Sequence, residues 1–187
     1  DIQITPAEED NAQPGDSDLV IAWRQRSPPI RLTASLDDSG SQATGKMQGS
    51  VTLSLDDLLM WNDLFYANVS RNLFNGSNKG TRGYTVHYSV PYGYWALGAT
   101  VSGYEYHQTV AGYSQNYVYS GSSDNVEVRL SRLLYRDATR KTSAYVRGWM
   151  RKSNNFIDDA EIEVQRRRTG GWEAGFTHRQ YVGASTL

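Results

Sequence analysis

The feature that most constrains this chain is a strict alternation of apolar and polar residues, repeated in one segment after another. Successive Cβ atoms of a strand point to opposite faces, so a period of two builds a strand with one apolar side and excludes an amphipathic helix. Ile30, Leu32, Ala34 and Leu36 alternate with Arg31, Thr33, Ser35 and Asp37 before an Asp38-Ser39-Gly40 turn. Met47, Gly49, Val51, Leu53 and Leu55 oppose Lys46, Gln48, Ser50, Thr52 and Ser54. Tyr84, Val86 and Tyr88 lead to a Pro91-Tyr92-Gly93 turn, and Trp95, Leu97, Ala99 and Val101 come next. Val126, Val128 and Leu130 oppose Glu127, Arg129 and Ser131, and Ala144, Val146, Gly148 and Met150 oppose Tyr145, Arg147, Trp149 and Arg151. Ile162 and Val164 oppose Glu161, Glu163, Gln165 and Arg167. A Thr169-Gly170-Gly171 turn then introduces Trp172, Ala174 and Phe176 against Glu173, Gly175 and Thr177. About nine strands are expected after residue 30, of the roughly 9–11 residues that cross a bilayer when tilted. Asp56–Asn62, acidic at its start, is expected to form one or two helical turns.

The first thirty residues differ. A short strand is expected within Asp16–Arg26, after the Pro14-Gly15 turn, and Ser27-Pro28-Pro29 then removes two N–H donors and marks a linker. The predicted connections alternate in length. Pro91–Tyr94 and Thr169–Gly171 are tight, Arg136–Lys141 is short and Asn154–Asp159 is of medium length, whereas Arg71–Thr81 is long and polar and Tyr104–Asp124 is long, polar and Tyr-rich, expected to be the tips of two strands and their loop. Outer-membrane barrels have short periplasmic turns and longer outside loops. If residues 1–27 are periplasmic, the long loops fall outside, although the first outside connection, Asp38–Gln42, is short.

The same alternation describes a soluble sandwich or a lipocalin-like barrel. No run approaches the ~20 apolar residues of a membrane helix, and mean hydropathy is −0.60. Neither observation bears against a barrel, whose strands face lipid on one side only. Charges recur on the polar face, at Lys46, Glu127, Arg129, Arg147, Arg151, Glu161, Glu163 and Arg167; a water-filled lumen accommodates them and a dry core does not. The 13 Tyr and 5 Trp suit strands and membrane interfaces, and Trp61, Tyr92, Tyr94, Trp95 and Trp172 sit near strand ends, as in a girdle.

Pro28-Pro29-Ile30 leading to Asp37-Asp38-Ser39-Gly40 and Thr44-Gly45 resembles the start of the barrel in the two-partner secretion transporters, the haemolysin-activator (ShlB/FhaC/CdiB-like) outer-membrane proteins. Asn62-Asp63-Leu64-Phe65-Tyr66, with Ser70-Arg71 after it, resembles their third strand, and Ser89-Val90-Pro91-Tyr92-Gly93-Tyr94-Trp95 the tight turn before the fifth. Leu130-Ser131-Arg132 and Asp137–Lys141 fit the family's next strand and turn. The resemblance implies a partial antiparallel transmembrane β-barrel at residues 30–187, from a barrel of about sixteen strands. It implies that residues 1–27 end a periplasmic POTRA domain. On this reading both ends are cut from a longer protein that lies in the bacterial outer membrane, its N-terminal part in the periplasm. Its partner would be a secreted exoprotein with an N-terminal two-partner secretion domain, and outer-membrane lipid would surround it. The family's Val-Arg-Gly-Tyr/Phe loop motif is echoed by Val146-Arg147-Gly148-Trp149, but here in mid-strand, as strand composition; the motif proper is expected beyond Leu187.

Other chemistry is poorly served. The net charge of −1 argues against a nucleic-acid binder, and the chain has no cysteine for disulfides or thiolate metal sites. His87, His107 and His178 share no ligand spacing. Glu161 and Glu163 share a face as paired glycosidase carboxylates do, but read better as lumen charges facing Arg147 and Arg167 on neighbouring strands. Arg166-Arg167-Arg168 reads as a solvated strand end. Asn68-Val69-Ser70 and Asn75-Gly76-Ser77 match a glycosylation pattern that means little in a bacterial protein. No catalytic residue, cofactor, metal or small-molecule substrate is expected. Two alternatives to export remain: a barrel-assembly protein of the wider superfamily, and a soluble β-sandwich that holds carbohydrate.

Overall fold

The computed structural model describes residues 2–6, 17–21, 29–73, 79–182 and 185–186. Two short strands, β1 (Ile2–Pro6) and β2 (Ser17–Ile21), pair antiparallel as a sheet of their own. The remaining strands form one large antiparallel sheet: β3 (Ile30–Asp37), β4 (Gln48–Asp56), β5 (Leu64–Asn72), β6 (Gly80–Tyr92), β7 (Trp95–Ala111), β8 (Asn116–Arg136), β9 (Arg140–Ile157), β10 (Ala160–Glu161), β11 (Arg167–Val182) and β12 (Ser185–Thr186). Each pairs with its neighbour in sequence except β11, which passes over the two-residue β10 and joins β9, to which β10 also pairs. The sheet is open, with β3 at one edge and β12 at the other: part of a barrel wall.

The expected alternation runs through the whole sheet, and its register carries one face across every strand. Ala34 opposes Val51, Val51 opposes Val69, Val69 opposes Tyr84, and Val86 opposes Val101, which opposes Val126. Such register is what a period of two specifies, since a slip of one residue would send every side chain to the other face. Along the start of β7 the residues alternate exposed and half-buried, and the exposed ones are Trp95, Leu97, Ala99 and Val101. The polar face is the more enclosed, as the concave side of a curved wall is.

Among the described residues, the connections 57–63, 93–94 and 137–139 lie at the end of the sheet where β3 begins, and 38–47, 112–115 and 158–166 lie at the other. The two tightest, 93–94 and 137–139, share the first end. Gly93, at φ 58, supplies the left-handed residue a two-residue hairpin loop needs. Asp137 closes its turn by accepting hydrogen bonds from the Thr139 and Arg140 amides at 2.7 and 2.6 Å. The Tyr135 hydroxyl and these amides hold its carboxyl down, at about 2.

Three local expectations are corrected. Asp56–Asn62 is not helical: Asp57, Met60 and Asn62 have positive φ. The Asp57 carboxylate takes the Asn62 amide at 2.8 Å, and the buried Asp63 carboxylate takes that of Leu59 at 3.0 Å. Short acidic side chains that capture nearby amides make turns more readily than helix. Burial pushes the Asp63 carboxyl up, but the Leu59 amide and its other donors leave it below its ordinary value. The expected strand through Glu161–Arg167 is broken by a 3-10 turn at Glu163–Gln165. Thr169-Gly170-Gly171 is no turn but the interior of β11, where Gly171 opposes Trp149. A Cβ on Gly171 would lie 3.3 Å from the indole, so the missing side chain makes room for the ring. Of the expected linker, Ser27 and Pro28 lie outside the described residues, as do residues 7–16 and 22–26 of the N-terminal segment.

Candidate functional site

The site is the polar face of the sheet, and it has two parts. On β3–β7 it is neutral between the strand ends, a lattice of hydroxyls, amides and one histidine. Ser35 and Ser50 share a hydrogen bond of 2.8 Å, Asn68 Nδ2 donates to Thr52 Oγ1 at 2.7 Å, and His87 Nδ1 meets Thr100 Oγ1 at 2.8 Å. Tyr66 stacks on His87 with centroids 5.0 Å apart. These short groups keep polar atoms at the surface for water and for one another.

On β8, β9 and β11 the face is charged. Glu127, Arg129, Arg147, Arg151, Arg167 and Glu173 share it. The Arg147 guanidinium lies between two carboxylates, Nη2 2.5 Å from Glu173 Oε2 and Nη1 3.4 Å from Glu127 Oε2. The Tyr145 hydroxyl donates to the other Glu173 oxygen at 2.5 Å, and Arg129 stands over the Tyr145 ring at 4.0 Å. A planar guanidinium suits this bridging role better than a lysine ammonium, because its fixed fork serves two acceptors at once. The Arg147, Glu127 and Glu173 side chains stay partly exposed, while Arg147 Nε is buried without a partner among the described residues.

Of the eight residues singled out from the sequence, Glu127, Arg129, Arg147, Arg151 and Arg167 fall on this face, with Arg151 Nε donating to Ser123 Oγ at 2.9 Å. The other three do not sit on spanning strands. Lys46 is exposed in the 38–47 connection, short of β4, and Glu163 is exposed in the 3-10 turn. Glu161, in β10, pairs with Arg166 at 2.6 Å and not with Arg147 or Arg167; the guanidinium holds its carboxyl below the ordinary range. The arginine ladder takes Glu173 instead, which sequence reasoning placed on the right face but did not connect to Arg147. The signal is the β9–β11 register, Glu173 opposite Arg147, and that depends on β11 starting at Arg167. The histidines are apart: His87 is on the polar face of β6, His178 bonds Thr142 on the opposite face at 2.9 Å, and His107 lies in β7. Among the described residues no three His, Asp or Glu side chains are grouped to hold a metal.

The opposite face is apolar and has no cover. Among the described residues there is no buried hydrophobic core. Leu32, Met150, Phe176 and Trp172 are 71%, 73%, 78% and 79% exposed. Large apolar side chains each gain about 1.5–3 kcal/mol on leaving water, so a sheet this long with an uncovered apolar face requires an apolar medium or partner. The band runs on β7 from Trp95 to Gly103, ~26 Å along the strand or ~20 Å after a ~40° tilt, close to the ~25 Å band of outer-membrane barrels. At the long-loop end it stops at two charged pairs, Asp124 with Lys152 in line with Gly103 and Arg82 with Glu105 two residues beyond. At the other end Tyr92 and Trp95 pair in register, and Arg132 stands over Trp95 at 5.0 Å. That arrangement is an aromatic girdle with a basic residue beside it.

Comparison with known proteins agrees with this architecture. Residues 15–187 match the family model described as haemolysin secretion/activation protein ShlB/FhaC/HecB. The outer membrane transporter CdiB-2 of Burkholderia pseudomallei is 36% identical over 92% of this chain and 30% of its own length. The hemolysin transporter protein ShlB of Serratia marcescens is 29% identical over 78% of this chain and 26% of its own. The chain thus spans under a third of the length of these relatives. Among solved structures, CdiB from Acinetobacter baumannii superposes with a TM-score of 0.76 at 33% identity, over all of this chain and 35% of that one. CdiB from Escherichia coli has the same fold, with a TM-score of 0.85 at 22% identity.

Proposed function

This chain belongs to the haemolysin secretion/activation family ShlB/FhaC/HecB, and from that premise we propose that it is part of the wall of an outer-membrane pore that exports a large partner protein. The observation that carries the reading is the inverted polarity of the sheet: a hydrogen-bonded polar face that is the more enclosed, and an uncovered apolar face on the other side. Lipid satisfies the outer face, and a polypeptide in transit passes along the inner one. The relatives are named as outer membrane and hemolysin transporters, so the cargo is a secreted exoprotein such as a haemolysin, adhesin or contact-dependent toxin. Residues 30–187 form the N-terminal part of the barrel, and residues 1–27 close a periplasmic POTRA domain. The separate β1–β2 sheet and the two tight turns, 93–94 and 137–139, at the end where β3 begins support that division. An exposed sheet edge in such a domain can capture an extended segment of the exoprotein by strand addition.

Within the wall, Glu127, Arg129, Arg147, Arg151, Arg167 and Glu173 line the passage. They act as path residues and carry out no catalysis. Arg147 bridges Glu127 and Glu173, so both signs of charge stand side by side on a wet wall and a charged segment meets no surface of a single sign. The test uses the intact protein in cells that also make the exoprotein. The account expects fractionation with the outer membrane, a gel mobility that changes on boiling, and release of exoprotein that stops when the protein is deleted. A protein recovered in the soluble fraction with no mobility change would refute it.

A further inference from the structure

Arg71 of β5 and Arg82 of β6 are register partners on the apolar face, at the rim of the apolar band on the long-loop side. Like charges directly opposite one another destabilise a strand pair, and here only one is compensated. Arg82 Nη2 lies 2.6 Å from Glu105 Oε2, whereas among the described residues Arg71 has no carboxylate within ion-pair distance. Both arginines and Lys79 line a cavity of about 740 Å³. A second cavity, about 800 Å³, shares Arg71, Arg82 and Glu105 and continues over the band between Leu36, Val51, Val69 and Tyr84. Its shape comes from two glycines. Leu73 lies over Gly49, where a Cβ would be 2.8 Å from Leu73 Cδ1, and the Tyr84 ring lies over Gly103, so both large side chains rest flat against the backbone. Glu105 and Asp124 are the acidic groups beside the grooves, and Asp124 is register partner to Lys152; the cations Arg71, Arg82 and Lys79 leave the rim positive.

We propose that this surface holds a phosphate-bearing lipid of the outer leaflet, its acyl chain in the groove and its phosphate between Arg71 and Arg82. The inference rests on the outer-membrane reading, which places the long-loop end outside. A phosphate there relieves the opposed arginines by charge-assisted hydrogen bonds to both, and the groove beneath is apolar enough for a hydrocarbon chain.

The test is native mass spectrometry of the intact protein in detergent. It is incubated in turn with bis-phosphorylated lipid A, with the same glycolipid stripped of phosphate, and with inorganic phosphate. One retained molecule of the phosphorylated lipid is expected, with neither of the others retained. Arg71→Gln with Arg82→Gln should weaken retention by about a hundredfold, from ~1.5 kcal/mol per charge-assisted bond and tenfold per 1.4 kcal/mol. Arg132→Gln, on the same face at the opposite rim, should leave it unchanged. Equal retention of the stripped lipid, competition by inorganic phosphate at the lipid's own concentration, or indifference to the double substitution would overturn the proposal. Gel mobility before and after boiling is read on every sample. A shift without lipid retention overturns the lipid site alone, and no shift in the unaltered protein overturns the barrel reading and the lipid site together.

Discussion

The two parts of the polar face solve one problem differently. β3–β7 present serine, threonine and asparagine, which satisfy each other across strands and carry no charge between the strand ends. β8, β9 and β11 present full charges, cross-linked through Arg147. Behind both, the outward face is equally apolar. An apolar medium sets the outer composition uniformly, while water tolerates either solution on the inner side.

The largest expected effect comes from breaking the uniform face. Val128→Arg, behind the charged part, should cost about 2–4 kcal/mol at mid-membrane, read as a fall in the boiling-sensitive folded band and a lower urea midpoint. Thr85→Arg, on the inner face of the neutral part, should leave both unchanged. Equal losses would erase the distinction between the faces. Next, Arg147→Gln removes one positive charge from the charged part and should turn the pore toward cations in planar-bilayer recordings. Adding Glu127→Gln restores the net charge of the face and should restore the original selectivity, and Asn68→Ala in the neutral part should not alter it.

A smaller effect is expected for Gly171→Val, which must displace the Trp149 indole and should cost about 1 kcal/mol with altered tryptophan emission. The smallest concerns Asp137, in a turn that belongs to neither face. Its folded-state carboxyl, at about 2, lies below the ~3.9 of an unfolded aspartate. Its stabilisation is therefore present above about pH 4 and lost as pH falls toward 2. Asp137→Asn should unfold slightly earlier than the parent at pH 7, and the difference should vanish near pH 2.

The strands and their faces were readable from the sequence because period-two alternation is local: each residue reports its own side. The third-strand and fifth-strand stretches fall where the resemblance puts them, as β5 and β7. What was not readable depends on distant partners. Thr169-Gly170-Gly171 has turn composition, and only the Trp149 ring across the ladder explains glycine in mid-strand. Asp56–Asn62 has the acidic start of a helix, yet Asp57 and Asp63 spend their carboxylates on turn amides. The partnership of Arg147 with Glu173 depends on register, which becomes certain only once β11 is seen to begin at Arg167. Val146-Arg147-Gly148-Trp149, in the interior of β9, is strand composition as expected.

The central claim is that neighbouring residues of one strand live in different solvents. The chain contains no cysteine, so single cysteines at Val128, Arg129 and Leu130 can be probed in intact cells with a charged, membrane-impermeant thiol reagent small enough to enter the pore. Rapid modification at position 129 with slow modification at 128 and 130 is the predicted result. Equal rates at all three positions, or faster reaction at 128 and 130, would contradict a wall with water on one side and lipid on the other.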